Sequence, residues 1–235
     1  MEFNWKKHSV LHIFDELEPE EIARLVPLHL KARGVLIQEG AWEPANLYMI
    51  LEGICVNNLI RQSTESIFLA RKVLPGDFVG LLGIISDKKV PRPTTVYAKT
   101  PVLALIIPGD ELLSWQTRHP KIYNKIICNV LSRHLDERML NVNCAANDSH
   151  MAAAYYLLYL YKSYAKGCYL NGYDGPVTIL DTKGEIGLAM ARNVRTVDRI
   201  ISDFIKKGFV DVVKAKIIIS KDQADLLEEY LILKQ

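Results

Sequence analysis

TKGEIGLAMARNVRTVDRIISDFIKKG, residues 182–208, holds two helical patterns around a tight turn. The first runs from Lys183 to Met190 and the second from Val194 to Lys207, with Ala191-Arg192-Asn193 between them and Gly208 as the stop. At about 100° per residue, Val194, Val197, Ile200, Ile201, Phe204 and Ile205 fill one arc of the second helix, and Arg195, Asp198, Arg199, Ser202 and Lys206 fill the opposite one. Between Lys183 and Lys216, eight cations (Lys183, Arg192, Arg195, Arg199, Lys206, Lys207, Lys214, Lys216) stand against four acids (Glu185, Asp198, Asp203, Asp211), a local +4 in a chain of net charge +2. An apolar seam beneath a basic, hydrogen-bonding face suits a helix that lies against nucleic acid.

The flanks extend this reading. After Gly208, Phe209–Val213 and Lys216–Ser220 flank Lys214-Ala215 as a hairpin, so the helix pair acquires a wing; Asp222 to Leu233 then reads as an acidic amphipathic helix. Upstream, Met151 to Lys166 is helical with Tyr/Leu faces, and the Gly/Pro-rich residues 167–181 form a loop with a short strand, Val177–Leu180. Asn147-Asp148-Ser149 is a turn and fresh N-cap. Before it, His119-Pro120 opens a long helix ending near Asn143 or Asn147, with the stripe Ile122, Ile126, Ile127, Val130, Leu131, Leu135 and Met139. Such a helix is roughly 40 Å long, and a second apolar edge along it is a natural homodimer seam.

From Leu30 to Pro108 the pattern changes to short runs rich in β-branched and aromatic residues: Lys31–Ile37, Leu47–Leu59, Ser66–Leu74, Thr94–Lys99 and Val102–Ile107. Gly, Pro and Asp punctuate them, which predicts a β sandwich, barrel or roll. Asp110 is read as the cap of a short helix, Glu111 to Trp115. Residues 1–29 are read as helical and peripheral, with a helix start at Glu18-Pro19-Glu20-Glu21. The expected fold class is α+β, with a β-rich sensor domain at 1–118, a dimerisation helix at 119–147 and a winged helix–turn–helix domain at 148–235.

The bulk properties exclude several classes. The chain has 235 residues, 49% of them apolar, and no apolar run approaches a membrane span. Met1 to His8 is charged and aromatic with no apolar run behind it, which predicts a cytoplasmic protein. Cys55, Cys128, Cys144 and Cys168 lie far apart without metal-ligand spacing, and are read as buried reduced thiols, a redox switch being the alternative. No Ser/His/Asp order, metal cluster, Walker loop or G-x-G-x-x-G stands in the sequence, so neither an enzyme nor a resident metal or cofactor is expected.

Three stretches carry a resemblance. Leu47-Tyr48-Met49-Ile50-Leu51-Glu52-Gly53 is a strand closed by a glycine turn. Pro75-Gly76-Asp77-Phe78-Val79-Gly80-Leu81-Leu82-Gly83 is similar to a phosphate-cassette opening. Thr182-Lys183-Gly184-Glu185-Ile186-Gly187, followed by Arg195-Thr196-Val197-Asp198-Arg199, is similar to a DNA-binding signature. In this order they resemble the cyclic AMP receptor protein / fumarate-nitrate regulator (CRP/FNR) superfamily of bacterial transcription regulators, across essentially the whole chain. The resemblance implies a cyclic-nucleotide-binding-like β-roll, a long dimerisation helix and a C-terminal winged helix–turn–helix.

It also implies where an effector would sit: Gly80, Leu81, Leu82, Arg92, Pro93, Thr94, Arg138 and Met139. Nucleotide-binding relatives carry Gly-Glu-Leu where this chain has Gly80-Leu81-Leu82, and Leu81 cannot accept a ribose hydroxyl proton. Arg92 matches their phosphate arginine, but Pro93 stands where a small hydroxyl residue would donate and brings no N–H. Arg138-Met139 falls where a Thr-Ser pair contacts the purine. An unpaired buried hydroxyl costs roughly 1–3 kcal/mol, which argues against cyclic AMP and for a small anionic or aromatic organic ligand, or for no effector. No cysteine precedes Cys55, which disfavours an iron–sulfur cluster, and the six histidines show no haem-ligand pattern.

At the DNA end, the resemblance places Val194, Arg195 and Arg199 at the base-reading positions. Arg199 matches the family's guanine-reading arginine. Arg195 replaces a frequent Glu, and Val194 replaces a polar reader. Asp198 is expected to orient Arg195, and Ser202 lies on the same face. Thr182, Lys183, Arg192 and Lys214 or Lys216 are the expected phosphate contacts. The implied partners are a near-palindromic DNA duplex, a second copy of the chain, a small effector and, for an activator, RNA polymerase; no membrane is implied.

Overall fold

The computed structural model describes residues 8–41, 45–61, 66–86, 94–169 and 175–234. The chain divides into two compact units, Met1–Leu59 with Arg71–Leu135, and Ile60–Ala70 with Asp136–Gln235. After a 3-10 turn at Ser9–Phe14, the elements are α1 (Pro19–Ile22), β1 (Val26–Leu30), β2 (Val35–Ile37), β3 (Asn46–Glu52), β4 (Cys55–Arg61), β5 (Ser66–Val73), β6 (Phe78–Val79), α2 (Leu82–Ile85), β7 (Thr95–Ala98), β8 (Val102–Pro108), α3 (Gly109–Arg118) and α4 (Pro120–Ala146). The remainder are α5 (Ser149–Tyr169), β9 (Val177–Thr178), α6 (Lys183–Ala189), α7 (Val194–Lys206), β10 (Asp211–Val213), β11 (Lys216–Ile219) and α8 (Lys221–Leu233).

Two four-stranded sheets form, in the orders β1-β8-β3-β6 and β2-β7-β4-β5. β3 and β8 pair antiparallel with Tyr48 opposite Ile106, Met49 opposite Leu105 and Ile50 opposite Ala104. Strand side chains alternate faces, and here both faces are buried. Leu47, Met49 and Leu51, with Leu103, Leu105 and Ile107, pack against Leu11, Phe14, Leu17, Leu25, Leu112, Trp115, Ile122, Ile126 and Val130. Ile50, Val102 and Ala104 turn the other way, toward Leu36, Cys55, Val73, Val79, Val96 and Ala98. The sheets therefore enclose one core, and the helices with the N-terminal segment cover a second.

This packing corrects the N-terminal reading. Among the described residues of this segment only the 3-10 turn and α1 are helical, and Val26–Leu30 is a strand on β8. The segment is not peripheral, since Leu11, Phe14, Leu17 and Leu25 are buried. Helix propensities differ by at most about 0.7 kcal/mol among ordinary residues, whereas burying one Leu or Phe is worth about 1.5–3 kcal/mol, so tertiary contact decides. The run Leu47–Leu59 is two strands, broken at Gly53. α3 begins at Gly109 with Pro108 at its N-cap, so Asp110 lies inside the first turn and does not cap the helix.

A charge cluster pins the N-terminal segment to α3 and the start of α4. Arg24 Nη1 donates to Glu111 Oε2 at 2.7 Å, and Arg118 Nη2 donates to Glu111 Oε1 at 2.7 Å. Arg118 also pairs with Glu21, whose other oxygen lies 2.9 Å from His119 Nε2. Burial of Glu111 opposes its ionisation, but the bonds and charges of Arg24 and Arg118 outweigh it and hold the carboxyl below its ordinary value. A second clamp closes on the Pro75-Gly76-Asp77 turn. Asp77 Oδ2 accepts from the Leu74 N–H at 2.7 Å and from Arg133 of α4 at 2.8 Å, while Asn129 Nδ2 donates to the Gly76 carbonyl at 3.2 Å.

In the second unit, α5 is the buried spine, with Ala152, Ala154, Leu157, Leu160 and Tyr164 all at 0% exposure. β10, β11 and β9 make an antiparallel sheet in that order, and α8 follows it. The cysteines divide, which corrects the reading of four buried thiols: Cys55 and Cys144 are buried, while Cys128 and Cys168 are exposed. Burial pushes the Cys55 thiol up to about 12. It pushes Cys144 up to about 11 despite the nearby Arg192 charge.

Two outcomes follow. Because the folded Glu111 carboxyl titrates below its unfolded value of 4.5, its contribution to stability is complete above that pH and disappears as pH falls through the folded value. Acid titration of stability by urea unfolding therefore gives a steeper loss below pH ~4 for the parent chain than for Glu111→Gln; equal slopes would remove Glu111 from the acid response. In alkylation followed by peptide mass spectrometry at pH 8, Cys168 labels ahead of Cys55 and Cys144, which are thiolate in about one molecule in a thousand or fewer. Equal rates would contradict their burial.

Candidate nucleic-acid interface

The helix pair is built by local sequence signals. Tyr164 of α5 donates to the buried Asp181 carboxylate at 2.5 Å, fixing the residue before the first cap. The Thr182 hydroxyl accepts from the Glu185 N–H at 3.1 Å, and Glu185 Oε2 accepts from the Thr182 N–H at 2.7 Å. This reciprocal capping box starts α6. The turn then needs two backbone concessions. Ala191 is left-handed at φ 53°. Gly187 lies so near the Arg192 carbonyl that a Cβ would stand 2.7 Å from it. Asn193 opens α7, its Oδ1 accepting from the Thr196 N–H at 2.9 Å and the Thr196 hydroxyl at 3.0 Å.

α7 is amphipathic. Val197, Ile200, Ile201 and Phe204 are buried against the unit's core. Val194 and Ile205, read as part of that seam, are 47% and 43% exposed and form its edges. Gly208, left-handed at φ 75°, follows the helix. The wing turns at Lys214 and Ala215, both left-handed at φ 47° and 61°, and holds Lys214 and Lys216 exposed.

The expected DNA-facing side chains fall into two groups. Arg195 and Arg199 are exposed and, among the described residues, have no hydrogen-bond or ion-pair partner; Val194 and Ser202 are exposed beside them. The Ser202 hydroxyl donates back to the Asp198 carbonyl at 2.9 Å. The others are already engaged. Asp198 does not orient Arg195: its Oδ1 accepts from Lys183 Nζ at 2.6 Å, which also occupies a lysine read as a phosphate contact. Arg192 is half-buried and staples the turn, with Nε donating to Ser149 Oγ at 2.9 Å and Nη1 to the Met190 and Ala191 carbonyls at 3.3 and 3.2 Å. Thr182 is exposed, and its hydroxyl serves α6 as a cap.

The effector positions are not gathered into a site among the described residues. Arg92 and Pro93 lie outside those residues. Gly80 has φ 100°, and a Cβ there would stand 2.4 Å from the Asn46 carbonyl, so backbone packing by itself requires a glycine here. Leu81 is 5% exposed and belongs to the core that holds Leu112 and Trp115. Leu82 is 60% exposed, Thr94 half-buried, and Arg138 and Met139 are exposed on α4. The Asp77–Arg133–Asn129 clamp was missed, because Asp77 and Arg133 are 56 residues apart with no local pattern to join them.

Asn193→Ala removes two acceptor contacts at the start of α7, and thermal or urea unfolding is expected to show a loss of about 1 kcal/mol. A change within a few tenths of a kcal/mol would mean that the cap does not hold this turn.

The family pattern for "Cyclic nucleotide-binding domain" matches residues 27–119. No curated protein matches the chain in sequence. Similar solved structures include a CRP/FNR-family transcriptional regulator from Thermus thermophilus, 20% identical, covering 88% of this chain and 98% of that one, with TM-score 0.66. FixK2 from Bradyrhizobium japonicum is 14% identical, covering 87% and 96%, with TM-score 0.68. The c-di-GMP responsive global regulator CLP of Xanthomonas campestris is 16% identical, covering 86% and 97%, with TM-score 0.66. The first unit thus matches the cyclic nucleotide-binding domain pattern, and the chain shares the fold of these solved CRP/FNR-family structures.

Proposed function

We propose that this chain is a CRP/FNR-type transcription regulator, not an enzyme, that binds a near-palindromic DNA duplex as a homodimer. The observation that carries the reading is α7. It buries one face, presents on the other Arg195 and Arg199, which have no protein partners among the described residues, and is preceded by a capped turn and followed by a hairpin carrying Lys214 and Lys216. In this arrangement α7 enters the major groove, Arg199 donates to a guanine edge, and Thr182, Lys214 and Lys216 meet phosphates. No helix among the described residues is long and apolar enough to cross a membrane.

The dimer rests on α4. Leu131, Leu135, Met139 and Val142 are 56–64% exposed, and their spacing of four, four and three residues makes one stripe along the helix. Two copies seated on this stripe present two recognition helices to successive major grooves, one turn or about 34 Å apart. The roll is proposed to take a small organic effector other than cyclic AMP. Leu81 argues against cyclic AMP, since it is apolar where nucleotide-binding relatives carry a ribose-binding carboxylate. Switching requires the effector to bind one arrangement of the DNA-reading units more tightly than another. Control through Cys55 or Cys144 is disfavoured by their burial.

Arg199→Ala tests the base-reading role. On a duplex selected by the parent chain, binding is expected to weaken by about 1–3 kcal/mol, with little change on random-sequence DNA. Equal loss on both in a fluorescence-anisotropy titration would reduce Arg199 to a general electrostatic contact.

A further inference from the structure

Arg195 and Arg199 stand four residues apart on one face of α7, an arrangement that disfavours the helix through like-charge repulsion. An acid within reach would relieve it, and Asp198, three residues from Arg195, is at the spacing to do so. The structure engages every acid of this segment elsewhere. Glu185 is used in the α6 capping box. Asp198 lies 2.6 Å from Lys183 Nζ. Asp203 faces His150 Nε2 at 3.3 Å and Lys206 at 3.8 Å, and Asp211 accepts from Gln223 Nε2 at 3.0 Å. The Lys183 and Asp198 side chains are 39% and 50% exposed, and a solvated pair of this kind adds little to stability. Its consequence is positional.

We infer that Lys183 is a positioning residue for sequence readout: it holds the Asp198 carboxylate against α6, leaving two uncompensated guanidinium groups, so that α7 reads a half-site with two guanines on one strand. This rests on the DNA-binding reading above and deepens it. Each guanidinium matches guanine O6 and N7 in bidentate fashion, whereas a free carboxylate would accept from the cytosine amino group. Residues four apart are separated by about 6 Å along a helix, so the two guanines stand about two base-pair steps apart on a strand of roughly 3.4 Å spacing. With Lys183 removed, Asp198 is free to swing to Arg195 and neutralise one of the two readers.

The test selects from a randomised duplex library with the full chain, then measures binding of the selected duplex and of duplexes with each guanine replaced. The parent chain is expected to select two guanines per half-site, each replacement costing about five- to a hundred-fold in affinity. Lys183→Met weakens discrimination at one guanine only, by up to about five-fold. Lys183→Arg retains it, and the double variant Lys183→Met/Asp198→Asn regains it because no carboxylate remains to intrude. The inference is overturned if the parent half-site holds fewer than two guanines. It is also overturned if Lys183→Met weakens all duplexes alike and lowers the salt slope by about one, the signature of a phosphate contact. A parent chain that binds no duplex even at low salt refutes the DNA-binding reading itself, one that binds all sequences equally refutes the base-reading roles of Arg199 and Arg195 together, and one that selects a single guanine per half-site refutes this inference alone.

Discussion

Burial of β3 and β8 on both faces is the constraint on which the first unit depends. A two-residue period sends Leu47, Met49 and Leu51 to one core and Tyr48 and Ile50 to the other. A one-residue slip of such a strand would exchange the two sets and place bulky residues against the wrong partners. The register is therefore fixed, and with it the positions of the turns that close the roll. Leu81 and the Pro75-Gly76-Asp77 turn have their places because the sheet beneath them cannot shift.

The second unit follows a different logic. Its apolar core sets where α7 lies, but its function depends on which charges remain unpaired. The local excess of +4 is a property of composition. Only the pairing pattern shows that the four acids and Lys183 are consumed within the protein, so that the cations left over are a subset of the eight that composition nominates. Arg192 illustrates the difference. It is a cation in a helix–turn–helix turn, yet its guanidinium binds the turn's own carbonyls and Ser149. Arg195 and Arg199 are left to face outward.

The two ends of the chain are also unequal as sites. The helix–turn–helix end is a compact local motif, whose caps, turn and exposed basic face come from one short run of consecutive residues. The roll end is distributed. Its glycine serves packing, its cassette leucine is core, and the clamp on Asp77 comes from α4. A ligand position in such a domain depends on distant segments meeting, and the Leu81 side chain lies in the core shared by the sheet and the helices.

The sequence by itself determined the elements with strong local codes. Thr182, Asn193 and Gly208 mark the ends of α6 and α7, and the four-three spacing of apolar residues gives α7 its buried face. Pro120 opens α4, and alternating β-branched runs announce the strands. These signals act within about one helical turn, so they survive without knowledge of the fold. Tertiary structure alone decided that Val26–Leu30 is a strand, that Cys55 and Cys144 are buried while Cys128 and Cys168 are not, and that Lys183 holds Asp198. Each depends on a partner far away in sequence or on the face an element turns inward. The free energies involved, a buried leucine or an ion pair, exceed or redirect the fractions of a kcal/mol that local propensity supplies.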